Sequence, residues 1–294
     1  MKPAQFEYFA PETVAEATSI LARYDGEAKV LAGGQSLVPL LNMRLARPQA
    51  LVDINRVPDL AEIREDGDRL LIGAMTRQRD VERSDLVRRA QPLLHEAVTL
   101  IAHPQIRNRG TIGGSLAHAD PASELPAVAL ALEAQFTITG PNGDRTLPAQ
   151  DFFVTFLTTA LQPDEVLTSI SFPTQAQNTG SSVQEVARRH GDFALAGAAV
   201  TVTLDGDRCS DARIALFGVG ATAVRTSGAE EALRGAEASD AALDAAADAV
   251  RDQIDDPLTD IHASSDFRRH LARTMTRRAL ATAVERARNG ARYA

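Results

Sequence analysis

The chain has 294 residues, 44% of them hydrophobic, and a formal net charge of -8 from 31 Lys+Arg against 39 Asp+Glu. That length buries a proper core in about two domains, while the acidic balance and the 4% aromatic content exclude a nucleic-acid partner, which needs basic patches and stacking surfaces. A single cysteine excludes an intrachain disulfide, a Cys-rich zinc site or an iron–sulfur cluster on this chain; no apolar run approaches the ~20 residues of a membrane span and no apolar signal core follows Met1, so a cytoplasmic protein without a membrane span is expected.

In chain order, Phe6 and Tyr8 read as a short strand. Thr13 and Glu16 fit a capping box, and Val14, Ala17, Ile20 and Leu21 give the apolar stripe of the helix it opens. Ala28–Ala32 reads as a buried strand running into Gly33-Gly34. Leu37, Leu40, Leu41 and Leu45 fit a helix interrupted near Pro39, and Ala50–Ile54 is another strand, so this part forms a small β-α-β unit. Alternation from Leu60 to Met75 around Glu65-Asp66-Gly67-Asp68 predicts a hairpin of Ala61–Arg64 with Leu70–Gly73. A helix starts at Thr76–Val81; a second runs from Gln91 to Ile101 and is ended by His103-Pro104. A second glycine pair, Gly113-Gly114, follows. Pro121–Leu132 reads as helix, and Gln135–Gly140 and Val166–Phe172 as strands. The polar stretch Ser171–Ser182 is the linker candidate. Beyond it Ser182–Ala187, Ala196–Leu204 and Ala212–Val219 read as strands, and Gly228–Gly235, Ala238–Ile254 and Asp266–Asn289 as helices.

A Gly-Gly step reaches φ > 0 and turns backbone N–H groups into one concavity. Ala32-Gly33-Gly34-Gln35-Ser36 and Thr111-Ile112-Gly113-Gly114-Ser115 therefore read as two concavities that grip a diphosphate from both sides, with a β-carbon at Gly33 or Gly114 filling the space of the phosphates. Gly218-Val219-Gly220-Ala221-Thr222-Ala223 mimics a Rossmann loop. That unit needs a helix and then a second parallel strand, and everything after Gly228 reads as helix, so the context favours a tight turn leaving a sheet.

With both pairs placed, the chain resembles the FAD-binding medium subunits of molybdenum hydroxylases, the family of carbon monoxide dehydrogenase and xanthine dehydrogenase. The resemblance rests on Leu31-Ala32-Gly33-Gly34-Gln35-Ser36-Leu37, on Ile106-Arg107-Asn108-Arg109-Gly110-Thr111-Ile112-Gly113-Gly114-Ser115, on Asp120–Pro126 and on Arg188–Ala194. It implies an α+β fold: a two-lobed vanillyl-alcohol-oxidase-type FAD domain over residues 1–176 (lobes about 1–56 and 57–176), then a C-terminal domain of small antiparallel sheet plus helices over 177–294.

Carried over by position, Ala32, Gly33, Gly34, Gln35, Ser36 and Leu37, with Thr111, Ile112, Gly113, Gly114 and Ser115, would wrap the pyrophosphate through backbone N–H groups. Lys29, Val30 and Leu31 would run along the cofactor. Glu124, with Asp120 in the same string, would meet ribose hydroxyls as an acceptor. Ile101 would pack near the flavin ring where the xanthine dehydrogenase branch has an aromatic, and Arg188 or Gln184 stands where that branch has a lysine. Arg107 and Arg109 would meet the diphosphate or a partner, or form surface salt bridges. No residue is expected to act on the organic substrate, and no metal site is expected.

The resemblance further implies a large molybdopterin subunit, a small subunit with two [2Fe–2S] clusters and assembly as a dimer of heterotrimers, with FAD passing electrons to an external acceptor. Two rivals stand beside it. One is a stand-alone flavin reductase of the same fold, though its Gly-x-Gly-Ser-Asn-like loop is replaced here by Gly33-Gly34-Gln35-Ser36. The other is a non-redox scaffold subunit.

Overall fold

A computed structural model describes residues 2–290. The N-terminal part is a three-stranded parallel sheet in the order Glu7–Phe9, Ala50–Asp53, Ala28–Leu31. The helix Val14–Arg23 makes the first crossover; its N-cap Thr13 accepts from the Glu16 N–H, and the Glu16 carboxylate accepts from the Glu12 N–H, so the expected cap forms with its return bond one residue earlier than in a capping box. The short helix Leu37–Asn42 makes the second. The apolar stripe Ala17, Ile20 and Leu21 packs with Val52, Ile54 and Val57, and with Leu60, Met75 and Val166 of the next lobe, into a small core.

The second lobe is a five-stranded antiparallel sheet in the order Ile63–Asp66, Arg69–Gly73, Val166–Pro173, Gln135–Gly140, Gly143–Pro148. The expected hairpin is present one to two residues from its predicted bounds, with Ile63 opposite Ile72. Helices Pro92–Leu100 and Glu124–Ala131 pack on each other and share one buried core with this sheet, and every residue of the Glu124–Ala131 helix is buried. Pro104 does more than end the preceding helix: it opens a further short one, Pro104–Arg107, because its missing N–H is an orphan in a first turn anyway.

The C-terminal part is a four-stranded antiparallel sheet in the order Thr179–Ala187, Ala194–Asp205, Arg208–Phe217, Val224–Arg225. Strand alternation gives it two dry faces. Val183, Ala199, Ala215 and Phe217 join the core of the second lobe, while Ala198, Val200, Ile214 and Leu216 pack under the long helix Ser265–Arg288. Gly180 lets that helix come close: a β-carbon there would lie 1.9 Å from the Ala283 carbonyl oxygen. The α+β class and the antiparallel sheet with its terminal helix are thus as expected.

Two expectations change in detail. Ser171–Ser182 is not a free linker: Ser171 lies in a strand, where Arg69 donates to its hydroxyl and carbonyl, and Thr179–Ser182 already belongs to the next strand, leaving only residues 174–178 between. Polar composition read as a linker there because the residues line two strand ends. The Rossmann look-alike is the turn after strand Arg208–Phe217, with Gly218 at φ +74 and its carbonyl accepting from the buried Arg268. Of the C-terminal domain expected over 177–294, residues 291–294 lie outside the described residues.

Candidate functional site

The two glycine segments come together. Gly33 follows strand Ala28–Leu31, and a β-carbon on it would sit 2.3 Å from the Arg109 carbonyl oxygen and 2.9 Å from Cα of Gly110. On Gly114 a β-carbon would sit 2.6 Å from Thr111 Oγ1 and 3.4 Å from Cβ of Ala32. Protein atoms therefore crowd the place of a side chain at both glycines, a reason for glycine that stands beside the phosphate space expected from sequence.

The first segment is a cradle of donors. Gly34 has φ +72 and Ser36 lies in the right-handed region at φ -102, ψ -47, so successive N–H groups turn to one side. Among the described residues, the backbone N–H groups of Gly33, Gly34, Gln35, Ser36 and Leu37 donate to no protein acceptor, whereas the next in line, Val38, donates to the Gly34 carbonyl at 3.0 Å. Gln35 Nε2 folds back onto the Gly33 carbonyl at 3.0 Å and holds the bend. Unpaired N–H groups in a row are what an anion with many acceptor oxygens satisfies.

The second segment differs. Ile112–His118 is a helix N-capped by Thr111, whose hydroxyl accepts from the Gly114 N–H at 3.0 Å. The Ile112 N–H goes to the Thr76 carbonyl at 3.0 Å, Gly113 to Ala74 at 2.8 Å and Ser115 to Thr111 at 3.1 Å. Gly113 is needed because a β-carbon would meet Ala74 at 2.4 Å. The N–H groups of Ile112, Gly113, Gly114 and Ser115 thus have protein acceptors, unlike those of the first segment. The Ser115 side chain, in the first turn of the helix, is half-buried.

Lys29 and Arg109 are exposed, and the Arg109 guanidinium has no ion pair among the described residues. Arg107 is neither a phosphate ligand nor a surface salt bridge. It is buried, donates to both Glu82 oxygens at 2.9 and 3.1 Å and to the Ile101 carbonyl at 2.8 Å, and its guanidinium holds Glu82 below the usual carboxylate range.

Two residues that sequence reasoning passed over join the segments. Asn55 Nδ2 donates to the Ala32 carbonyl at 2.9 Å, and Arg77 donates to Asn55 Oδ1 and to the Arg109 carbonyl, both at 2.6 Å. Asp53 accepts from the Asn55 N–H and from Tyr8. Nothing in the sequence flags them, because Asn55 ends one lobe and Arg77 begins a helix in the next.

The remaining expected residues are scattered. Val30 and Leu31 are half-buried on their strand. Ile101 is buried at the end of helix Pro92–Leu100, within the core. Arg188 is exposed, paired to Asp192 at 3.4 Å and beside His262; in its loop a β-carbon on Gly191 (φ +81) would collide with the His103 ring, and His190 meets His103. Gln184 donates to Ser182. Asp120 is spent in a turn, accepting from the Ala122 N–H at 2.9 Å.

Glu124 starts its helix 8% exposed. Burial, and then the nearby Glu185, push its carboxyl up to about 8. Burial pushes Glu185 up to about 7, and its Oε2 is enclosed without a donor. Glu124 is therefore mostly a neutral acid near pH 7, able to donate as well as accept, rather than the simple acceptor expected. Cys209 is buried with its thiol pushed up to about 11 by burial, in keeping with no assigned role.

The donor cradle fits the diphosphate of a dinucleotide. No helix among the described residues is long and apolar enough to cross a membrane, and no His/Cys/Asp/Glu group among them is arranged to hold a metal.

Comparison with known proteins agrees with this geometry. Residues 4–175 match the model of the FAD binding domain in molybdopterin dehydrogenase, and residues 181–283 that of the CO dehydrogenase flavoprotein C-terminal domain. The chain is 44% identical to the carbon monoxide dehydrogenase medium chain of Hydrogenophaga pseudoflava, over 97% of this chain and 99% of that one. It is 46% identical to the 6-hydroxypseudooxynicotine dehydrogenase complex subunit alpha of Paenarthrobacter nicotinovorans, over 98% and 97%. The solved carbon monoxide dehydrogenase from Hydrogenophaga pseudoflava that lacks the Mo-pyranopterin moiety superposes with a TM-score of 0.95 at 45% identity, covering 97% of this chain and 99% of that one. Quinoline 2-oxidoreductase from Pseudomonas putida 86 gives 0.93 at 37%, covering 98% and 99%. The chain belongs to the FAD-binding medium subunits of molybdopterin dehydrogenases, the family of the carbon monoxide dehydrogenase medium chains, and is thus a subunit of a multi-subunit molybdenum-containing oxidoreductase.

Proposed function

We propose that this subunit holds FAD by its diphosphate at the Gly33–Leu37 cradle, accepts electrons from [2Fe–2S] clusters on a small partner subunit and passes them to an external acceptor. The observation that carries the binding step is the row of backbone N–H groups from Gly33 to Leu37 that no protein acceptor meets among the described residues, held against the segment around Arg109–Gly114. Bound flavin supplies the redox chemistry; the chain orients it and sets its surroundings. Lys29 and Arg109 add positive charge beside the diphosphate. Ser115 offers a hydroxyl, and Glu124 faces the sugar hydroxyls as a donor or acceptor. Ile101 and Arg188 border the flavin end at the junction of the two domains. The single buried thiol gives this chain no means to build a cluster, so the clusters and the molybdopterin cofactor reside on the other two subunits, in a cytoplasmic dimer of heterotrimers.

The test is to purify the chain together with its two partner subunits and count FAD released per chain. One FAD per chain, with flavin absorbance bleaching when the clusters are reduced, is the expected result. An assembled complex that holds molybdenum and iron but no flavin contradicts the proposal. NADPH oxidation by this chain without its partners also contradicts it, in favour of the stand-alone reductase.

A further inference from the structure

The Gly33–Leu37 cradle and the Arg109–Ser115 segment come from different lobes, and a diphosphate seated on the cradle beside Arg109 and Ser115 needs their spacing kept to within a fraction of an ångström. Their contact is a van der Waals one, Gly33 against Arg109–Gly110 and Ala32 against Gly114, which sets a minimum separation but does not resist opening. The lobes share a buried apolar cluster in which Ala17 and Ile20 lie with Leu60, Met75 and Val166; at the two segments themselves, hydrogen bonds across the seam set the spacing. The backbone supplies them on one side only: Gln78 N–H to the Gly110 carbonyl at 2.9 Å and Ile112 N–H to Thr76 at 3.0 Å bind residues 76–78 to the second segment, both within the second lobe.

Across the seam the described residues offer one side-chain route. Asn55 hangs from the end of the first-lobe strand Ala50–Asp53, its orientation set by Asp53 Oδ1, which accepts from both its backbone N–H (2.9 Å) and its amide (2.5 Å). Asp53 is fixed in turn by the Tyr8 hydroxyl on the edge strand at 2.5 Å; burial works against its charge, and the bonds from Tyr8 and Asn55 outweigh it, so the carboxyl stays ionised, below its usual value. The Asn55 amide donates to Ala32 in the first segment, and its oxygen accepts from Arg77. The other arm of the Arg77 fork donates to the Arg109 carbonyl in the second segment.

We infer that Asn55 and Arg77 form a clasp that fixes the FAD-binding Gly33–Leu37 cradle against the neighbouring Arg109–Ser115 segment, and so act as positioning residues for the cofactor. This rests on the FAD reading above. The guanidinium suits the task because its rigid planar fork reaches two acceptors at once; a lysine ammonium on the same stem cannot hold both at the same geometry. Neither residue is asked to touch the cofactor.

The test uses the assembled complex, stripped of flavin and titrated with FAD. Arg77→Met and Asn55→Ala are each expected to weaken FAD binding roughly tenfold to a hundredfold, as loss of one or two charge-assisted bonds does. The double variant should be little weaker than either single one, because the two residues form one link. Arg77→Lys should recover only part of the loss. The melting temperature of the flavin-free complex should move little in all four variants, since the clasp is exposed or half-buried and no core residue changes. Affinities within twofold of wild type overturn the clasp, as do losses that track a fall in flavin-free melting temperature or that add in the double variant. A wild-type complex that takes up no FAD overturns the cofactor reading, and the clasp's role with it.

Discussion

The same two letters do opposite work in the two glycine segments. At Gly33-Gly34 the chain leaves a strand, bends through φ +72 and presents a run of unpaired N–H groups. At Gly113-Gly114 the chain is already helical, capped by Thr111, and its N–H groups go to Thr76, Ala74 and Thr111. Both places leave no room for a side chain, but the N–H groups have no protein acceptor among the described residues in the first case and are spent on protein acceptors in the second. A pair of glycines thus identifies a crowded place. Only the hydrogen-bond ledger shows whether an anion or another stretch of chain does the crowding.

Substitutions separate the two roles. The largest effect is expected at Gly33→Val, which drives a side chain into the Arg109 carbonyl 2.3 Å away: no FAD is retained, and urea unfolding should show a loss of at least about 3 kcal/mol. Next is Gly113→Ala, where the new methyl meets Ala74 at 2.4 Å. Here a stability loss of about 2–4 kcal/mol in the flavin-free protein is expected, with FAD affinity in the surviving folded fraction close to wild type.

The region behind the second segment is where acid is buried, and pH tests it. Glu124 is raised from the ordinary 4.5 to about 8 by burial and by Glu185, so the folded protein binds a proton that the unfolded chain releases. Stability conferred by the neutral acid is therefore full below about 4.5, falls as pH climbs through the window up to about 8, and levels off above it. Glu124→Gln should flatten that slope, gaining on the order of 2 kcal/mol relative to wild type at the alkaline end. A variant whose stability–pH curve parallels wild type sinks the assignment.

Smaller effects follow at the bends themselves. Gly34→Ala places a methyl at φ +72, with Val38 Cγ2 3.1 Å away; about 1 kcal/mol of strain and a clear drop in FAD affinity are expected by unfolding and flavin titration. Thr111→Ala removes only a helix cap and should cost about 1 kcal/mol of stability, with FAD affinity changed less than by Gly34→Ala.

Much of this was legible in the chain. The Thr13/Glu16 cap, the hairpin around Gly67, the sheet after residue 179 and the long terminal helix all follow from local periodicity, and the structure has them. The glycine segments were visible as letters, and the resemblance they carry named the family. What escaped depends on partners remote in sequence. Gly33 meets Arg109, Asn55 meets Arg77, and Glu124 meets Glu185; no window of neighbouring residues contains any of these pairs. Arg107 misled for the same reason. Beside Arg109 it reads as a surface cation, and only the fold turns it inward onto Glu82.

The account turns on which N–H groups carry the diphosphate. A crystal structure of the FAD-loaded complex decides it. Phosphate oxygens should lie within hydrogen-bond distance of several N–H groups between Gly33 and Leu37, with Ile112 and Gly113 still bonded to the Thr76 and Ala74 carbonyls. A diphosphate held by the Ile112 and Gly113 N–H groups, with the Gly33–Leu37 row facing solvent, would contradict it.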